Sequence, residues 1–119
     1  MAHAVSLLIV DDSERMRRLI KRLIKGVLAD VYECSDGSQA LEAYTTHQPD
    51  WVLMDIEMKD MDGITATRQI REAFPDARIV IVSNYDSDEV RAAASQAGAR
   101  AFCSKANLLS LRALIGGSH

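Results

Sequence analysis

Val5-Ser6-Leu7-Leu8-Ile9-Val10-Asp11-Asp12-Ser13 passes from an apolar run straight into two carboxylates and a hydroxyl. The apolar part is short and nearly continuous, so it reads as a strand buried on both faces, the kind that parallel sheets use. Working outward, the same figure returns three times: Trp51-Val52-Leu53-Met54 ends at Asp55, Ile79-Val80-Ile81-Val82 at Ser83, and Ala101-Phe102-Cys103-Ser104 at Lys105. With one more run at 30–34, strands predicted at 5–10, 30–34, 51–55, 78–83 and 100–104 alternate with helical patterns at 14–28, 38–47, 63–74, 87–97 and 107–115. That is a (βα)5 chain. Right-handed crossovers then lead to an α/β, flavodoxin-like three-layer sandwich whose five parallel strands lie in the order 2-1-3-4-5.

The helices carry their own signals. Met16, Leu19, Ile20, Leu23, Ile24 and Val27 repeat at the spacing of one helical face, and Arg15, Arg17, Arg18, Lys21, Arg22 and Lys25 fill the other. Ser13, Ser38 and Ser87 or Asp86 stand where N-caps of the first, second and fourth helices belong. Asp36-Gly37 and Asp62-Gly63 mark turns, and Pro75 closes the third helix.

The chain has 119 residues and a formal net charge of -3. One domain of that size buries roughly two thirds of its unfolded surface, enough for a core without staples. The charge argues against a protein that holds nucleic acid through its own surface. Cys34 and Cys103 lack metal or redox spacing, so reduced thiols are expected. No run approaches the ~20 apolar residues of a membrane span, and a cytoplasmic location is the expectation. Residues 116–119, Gly-Gly-Ser-His, read as a linker or appended tail, leaving 1–115 as the domain.

The order 2-1-3-4-5 sets the first and third strands side by side and gathers Asp11, Asp12 and Asp55 at the carboxyl edge of the sheet, where open α/β sheets bind ligands. Three crowded carboxylates would raise at least one pKa, because like charges disfavour ionisation. A hard divalent cation relieves the conflict, and Mg2+ suits carboxylates combined with phosphate oxygens. With Mg2+ on Asp12 and Asp55 and Asp11 holding its waters, Asp55 is placed as a nucleophile toward phosphorus. The Ser83 hydroxyl and Lys105 ammonium would each take an oxygen of the transferred group.

Asp11-Asp12, Asp55, Ser83 and Lys105 in that order strongly resemble the receiver (CheY-like) domain of two-component response regulators over residues 4–115. Met54-Asp55-Ile56-Glu57-Met58 and Met61-Asp62-Gly63-Ile64 look like its phosphoacceptor loop, and Ala97-Gly98-Ala99 precedes the last strand. Ser83-Asn84-Tyr85 and Glu72-Ala73-Phe74-Pro75-Asp76-Ala77 are most similar to the NarL/FixJ branch. The resemblance implies a switch rather than a turnover enzyme. A sensor histidine kinase or small phosphodonor would phosphorylate Asp55, with Mg2+ held by Asp11, Asp12, Asp55 and Glu57, catalysis shared with Ser83 and Lys105, and Ser83 and Phe102 relaying the change. It further implies a homodimer and output through a DNA-binding effector domain beyond this chain, with a stand-alone receiver acting by protein contact as the alternative. Lys59 and Ala106 stand where the family usually has proline, and Asn84 where it favours a very small residue.

A haloacid-dehalogenase-type phosphohydrolase uses similar groups, but it resembles Asp-x-Asp near the first strand, whereas the nucleophile candidate here ends the third. A flavin module of this topology would need a phosphate-cradling loop where Asp11-Asp12 repels phosphate. The histidines at 3, 47 and 119 show no ligand spacing.

Overall fold

The computed structural model describes residues 5–26 and 28–116. Strands β1 (Val5–Val10), β2 (Leu28–Cys34), β3 (Trp51–Asp55), β4 (Ile79–Ser83) and β5 (Ala101–Ser104) form one parallel sheet in the order β2-β1-β3-β4-β5. Helices α1 (Glu14–Leu23), α2 (Ala40–His47), α3 (Gly63–Ala73), α4 (Asp88–Ala97) and α5 (Ser110–Gly116) connect and follow the strands. The expected three-layer architecture is the observed one.

Alternation along each strand splits the core in two. Leu8, Val10, Val52, Met54, Ile79 and Ile81 face Ala40 and Tyr44 of α2, Ala66 and Ile70 of α3, and Ala94 of α4. Leu7, Ile9, Leu53, Val80, Val82 and Cys103 face Ile20 of α1, Ile24 just beyond it, and Leu111 and Ile115 of α5. Every residue of β3 and β4 is buried, which is why these runs lack the polar alternation of a half-wet strand. Cys34 and Cys103 are free and buried. Trp51 starts β3 at the far end of the sheet from Asp55, under the Arg78 guanidinium at 4.7 Å.

Most bounds differ from the sequence reading by one or two residues, the second strand among them, which begins at Leu28 rather than at 30; three helices show why. The first helix, expected to reach residue 28, ends at Leu23, and Leu28 already pairs with Val5. Ile24, the C-cap, keeps the apolar rhythm because it packs into the core from the turn, and two residues on Gly26 adopts φ 93, where the right-handed helix cannot continue; Val27 lies outside the described residues. The second helix begins later than 38, because Gly37–Gln39 forms a 3-10 turn first, and Asp36, not Ser38, caps it by accepting from the Ser38 N–H. The fifth helix starts at Ser110 after a 3-10 turn over Lys105–Asn107 and runs through Gly116, one residue into the expected tail; residues 117–119 lie outside the described part. Ser13, Asp62 and Ser87 each accept a backbone N–H as N-caps of α1, α3 and α4. Among the described residues, no helix is long and apolar enough to cross a membrane.

Candidate functional site

The carboxyl ends of β1 and β3 are neighbours because the chain order reverses there. Asp11 extends the β1 ladder by one residue, donating its N–H to the Cys34 carbonyl at 3.1 Å. Its Oδ1 accepts from the Ser13 N–H at 2.9 Å, and its carbonyl accepts from Arg17 Nη1 at 2.6 Å, while Arg17 Nε pairs with Glu33 at 2.9 Å. The basic face of α1 is therefore not only solvated surface: Arg17 fastens the strand end that carries the carboxylates. Asp11 is buried and Asp12 exposed.

Asp55 closes β3, and the chain then loops out and returns so that the Gly63 N–H meets the Ile56 carbonyl at 2.8 Å. Lys105 enters from the tip of β5. Its Nζ lies 3.1 Å from Asp11 Oδ2 and 3.0 Å from Asp55 Oδ1. Oxygens of Asp11, Asp12 and Asp55 all lie within 4.8 Å of one another. Asp11, Asp12, Asp55, Glu57, Asn84 and Lys105 line an open cavity of about 370 Å³.

The electrostatics are unbalanced in a direction that favours cations. Burial, then the Asp11 charge, push the Asp55 carboxyl up to about 6 against the pull of Lys105. Burial works against the Lys105 ammonium, but its contacts with Asp55 and Asp11 raise its pKa overall, so it stays charged. One ammonium cannot offset three carboxylates. Hard oxygen donors, one of them exposed beside a cavity, fit a divalent cation that keeps part of its water shell.

The structure brings Asp11, Asp12, Asp55, Glu57 and Lys105 together, while Ser83 and Phe102 do not line the same cavity. Ser83 ends β4 beside β3, almost fully buried, and its Oγ accepts the Tyr85 N–H at 2.9 Å. A hydroxyl two residues before a turn N–H is the usual local partner for it, and Asn84 faces the cavity instead. Phe102 is half-buried on β5, packed against the core cluster beneath α2–α4, with the Arg91 guanidinium 4.5 Å over its ring. Arg91 in turn pairs with Asp86 of the loop after β4.

Sequence reasoning missed Asp36. It reads as half of an Asp-Gly turn, yet its carboxylate accepts from the Ser38 N–H at 2.8 Å and, across the molecule, from the Asp60 N–H at 2.9 Å and the Met61 N–H at 3.2 Å. Bonds between residues 24 and 25 apart leave no local trace that a pattern search could find.

A model for the response regulator receiver domain matches residues 7–115. The chemotaxis protein CheY of Bacillus subtilis (strain 168) is 44% identical over 106 residues, 88% of this chain and 87% of that protein. Among solved structures, a LuxR-family two-component response regulator from Aurantimonas sp. SI85-9A1 superposes with TM-score 0.86 at 31% identity, covering 98% of this chain and 89% of that one. The signal receiver domain of the putative response regulator NarL from Mycobacterium tuberculosis also gives TM-score 0.86, at 26% identity, covering 99% and 100%.

Proposed function

Because this chain belongs to the family of two-component response regulator receiver domains, we propose that Asp55 is its phosphoacceptor and that Asp11, Asp12, Asp55 and Glu57 surround a Mg2+ ion. The observation that carries the reading is the Lys105 ammonium held between Asp11 and Asp55 at 3.1 and 3.0 Å, beside an acidic cluster that one ammonium cannot neutralise.

A carboxylate oxygen of Asp55 attacks the phosphorus of a phosphohistidine or an acyl phosphate. The P–N or P–O bond to the donor breaks, the leaving group takes the electron pair, and Asp55 becomes an aspartyl phosphate. Bound Mg2+ would supply charge stabilisation for the phosphoryl oxygens and relieve the crowded carboxylates. Asp55 must be ionised to attack, and a carboxyl titrating near 6 is mostly ionised at neutral pH. Lys105 already touches the attacking group, so once Asp55 carries the phosphoryl group the ammonium can stay as its counter-charge with little movement. Water later attacks the phosphorus and returns the carboxylate and inorganic phosphate, so the protein catalyses only its own modification and release.

Ser83 directly follows Val82, the residue paired with Asp55 across β3 and β4. Turning its hydroxyl from the Tyr85 N–H toward a phosphoryl oxygen would pull on the loop that carries Asn84, Tyr85 and Asp86. Asp86 holds Arg91 and Arg91 covers Phe102, so the movement would reach the surface of α4 and β5. That is a two-state bias of one loop by one new charge. The phosphodonor in this reading is a sensor histidine kinase or a small acyl phosphate. The 40% identity over 72 residues to a transcriptional regulatory protein of B. subtilis, of which this chain spans 34%, favours output through a DNA-binding effector domain, and the 87% coverage of the B. subtilis chemotaxis protein favours direct protein contact as a second reading.

Intact mass after incubation with acetyl phosphate and Mg2+ tests the reading. Wild type is expected to gain one base-labile phosphoryl group, and Asp55→Asn none; an undiminished gain in Asp55→Asn would overturn the assignment. Mg2+ at 100 times its dissociation constant should stabilise the fold by about 2.7 kcal/mol if only the native state binds it. Asp12→Ala is expected to lose most of that response in a thermal melt at fixed ionic strength. Equal responses of the two proteins would remove Asp12 from the metal site.

A further inference from the structure

The loop from Ile56 to Met61 leaves the site directly after Asp55 and contains no proline to limit its conformations. Its base is closed by the Gly63 N–H on the Ile56 carbonyl, and Asp62 caps α3. Between these points Glu57 lines the site cavity. The middle of the loop is held from outside, by a residue on a different crossover. The Asp36 carboxylate accepts the Asp60 N–H on Oδ1 and the Met61 N–H on Oδ2, at 2.9 and 3.2 Å. The next residue, Gly37, lies so close that a Cβ there would stand 2.4 Å from the Met61 carbonyl oxygen, so the two loops are in backbone contact.

We propose that Asp36 is a positioning residue for the phosphoacceptor site: by pinning Asp60 and Met61 it holds the loop that carries Glu57 and fixes the direction in which the chain leaves Asp55. The inference rests on the reading of Asp55 as phosphoacceptor but is separable from it. A carboxylate is well chosen for the task. It can accept all three N–H groups at once, whereas an amide or hydroxyl offers fewer lone pairs. The Asp60 N–H, then the Ser38 N–H, hold its pKa down to about 2, so the clamp keeps its charge across the working pH range. Partners one shell outside a metal site orient the groups that touch the ion, and losing them typically weakens binding by one to two orders of magnitude.

The test compares wild type, Asp36→Asn, Asp36→Ala and Ile20→Val, the last a core change on the opposite face of the sheet that lowers stability without touching either loop. In metal-free protein, the Asp60 and Met61 amides should exchange about 10-fold faster in Asp36→Ala while the strand amides keep their protection. Mg2+ affinity, read by competition with a chelating dye, should weaken about 10-fold in Asp36→Ala. The acetyl phosphate reaction at saturating Mg2+ should slow by a similar factor of about 10. Asp36→Asn keeps one acceptor oxygen in the same place and should fall between, and it carries the test if the alanine variant does not fold. Ile20→Val should match wild type in Mg2+ affinity and rate. Wild-type affinity and rate in Asp36→Ala, or an equal loss in Ile20→Val, would make Asp36 merely structural and overturn the proposal. If wild type itself takes up no phosphoryl group, the phosphoacceptor reading fails, and amide exchange with Mg2+ affinity still decides whether Asp36 positions the acidic site.

Discussion

Gly63→Ala is expected to destabilise the fold by about 3 kcal/mol or more, a fall in melting temperature of roughly 10 °C for a domain of this size. A Cβ at this position would stand 1.8 Å from the Asp55 carbonyl oxygen, 2.8 Å from its carbonyl carbon and 2.9 Å from Met54 Cγ. The obstacle is backbone at the end of β3, between β1 and β4 in the middle of the sheet, and no rotamer change moves it. Either α3 retreats and uncovers Ala66 and Ile70, which are wholly buried, or the end of β3 bends and takes Asp55 away from Lys105. Each route loses the Mg2+ response as well as stability. Gly26→Ala provides the contrast: nothing lies within 4 Å of its added Cβ, and only the φ of +93 is strained, a cost of about 1 kcal/mol. Thermal melts by circular dichroism with and without Mg2+ compare the two. Equal falls, or an unchanged Mg2+ response in Gly63→Ala, would show that α3 does not abut Asp55 as described.

The difference between those glycines also marks what the sequence could disclose. Strands and their order were legible because both faces of β3 and β4 are buried and each of these apolar runs stops at a polar or charged residue; Asp11, Asp12, Asp55 and Lys105 stand at strand ends, so knowing the topology is knowing that they meet. Gly63 could be read only as a turn, since its neighbour is the backbone of a residue that α3 packs against, and nothing in Asp62-Gly63 names that neighbour. The end of α1 was misread for a related reason. Ile24 obeys the helical spacing but reaches the core from a turn, because burial depends on where a side chain goes and not on the backbone that carries it. Ser83 was placed correctly at the carboxyl end of its strand, but its hydroxyl accepts from the Tyr85 N–H two residues on, a preference of local geometry that composition does not encode. Asp36 escaped notice because its partners lie on another crossover.

In metal-free protein at pH 7, Asp55→Asn is expected to be more stable than wild type by about 2 kcal/mol, although it removes an ion pair with Lys105. The decisive quantity is the direction of the Asp55 shift. Its carboxyl titrates at about 6 in the folded protein because burial and the Asp11 charge together outweigh the Lys105 ammonium, and it returns to the ordinary carboxyl range when unfolded. The folded state therefore binds the extra proton between those values. The stability from the protonated form is fully present below about pH 4 and is lost as pH rises through about 6. Asparagine has nearly the shape of the protonated acid and never ionises, so its advantage should be close to zero near pH 4 and reach its full size above pH 7. Asp36 acts in the opposite sense, since its carboxyl is held down to about 2 and its contribution is lost only below the ordinary carboxyl range; subtracting the two curves of stability against pH removes it, because both proteins carry it. Urea denaturation at closely spaced pH values measures the difference. A flat difference across pH 4 to 7, or a less stable Asp55→Asn at pH 7, would mean that the Lys105 pair dominates and that the cluster does not store the repulsion a divalent cation would relieve. The expected curve instead makes the acidic site costly to maintain when empty of cations, so that binding of a divalent cation there and the protein's stability would be linked through the carboxylate proposed as the phosphoacceptor.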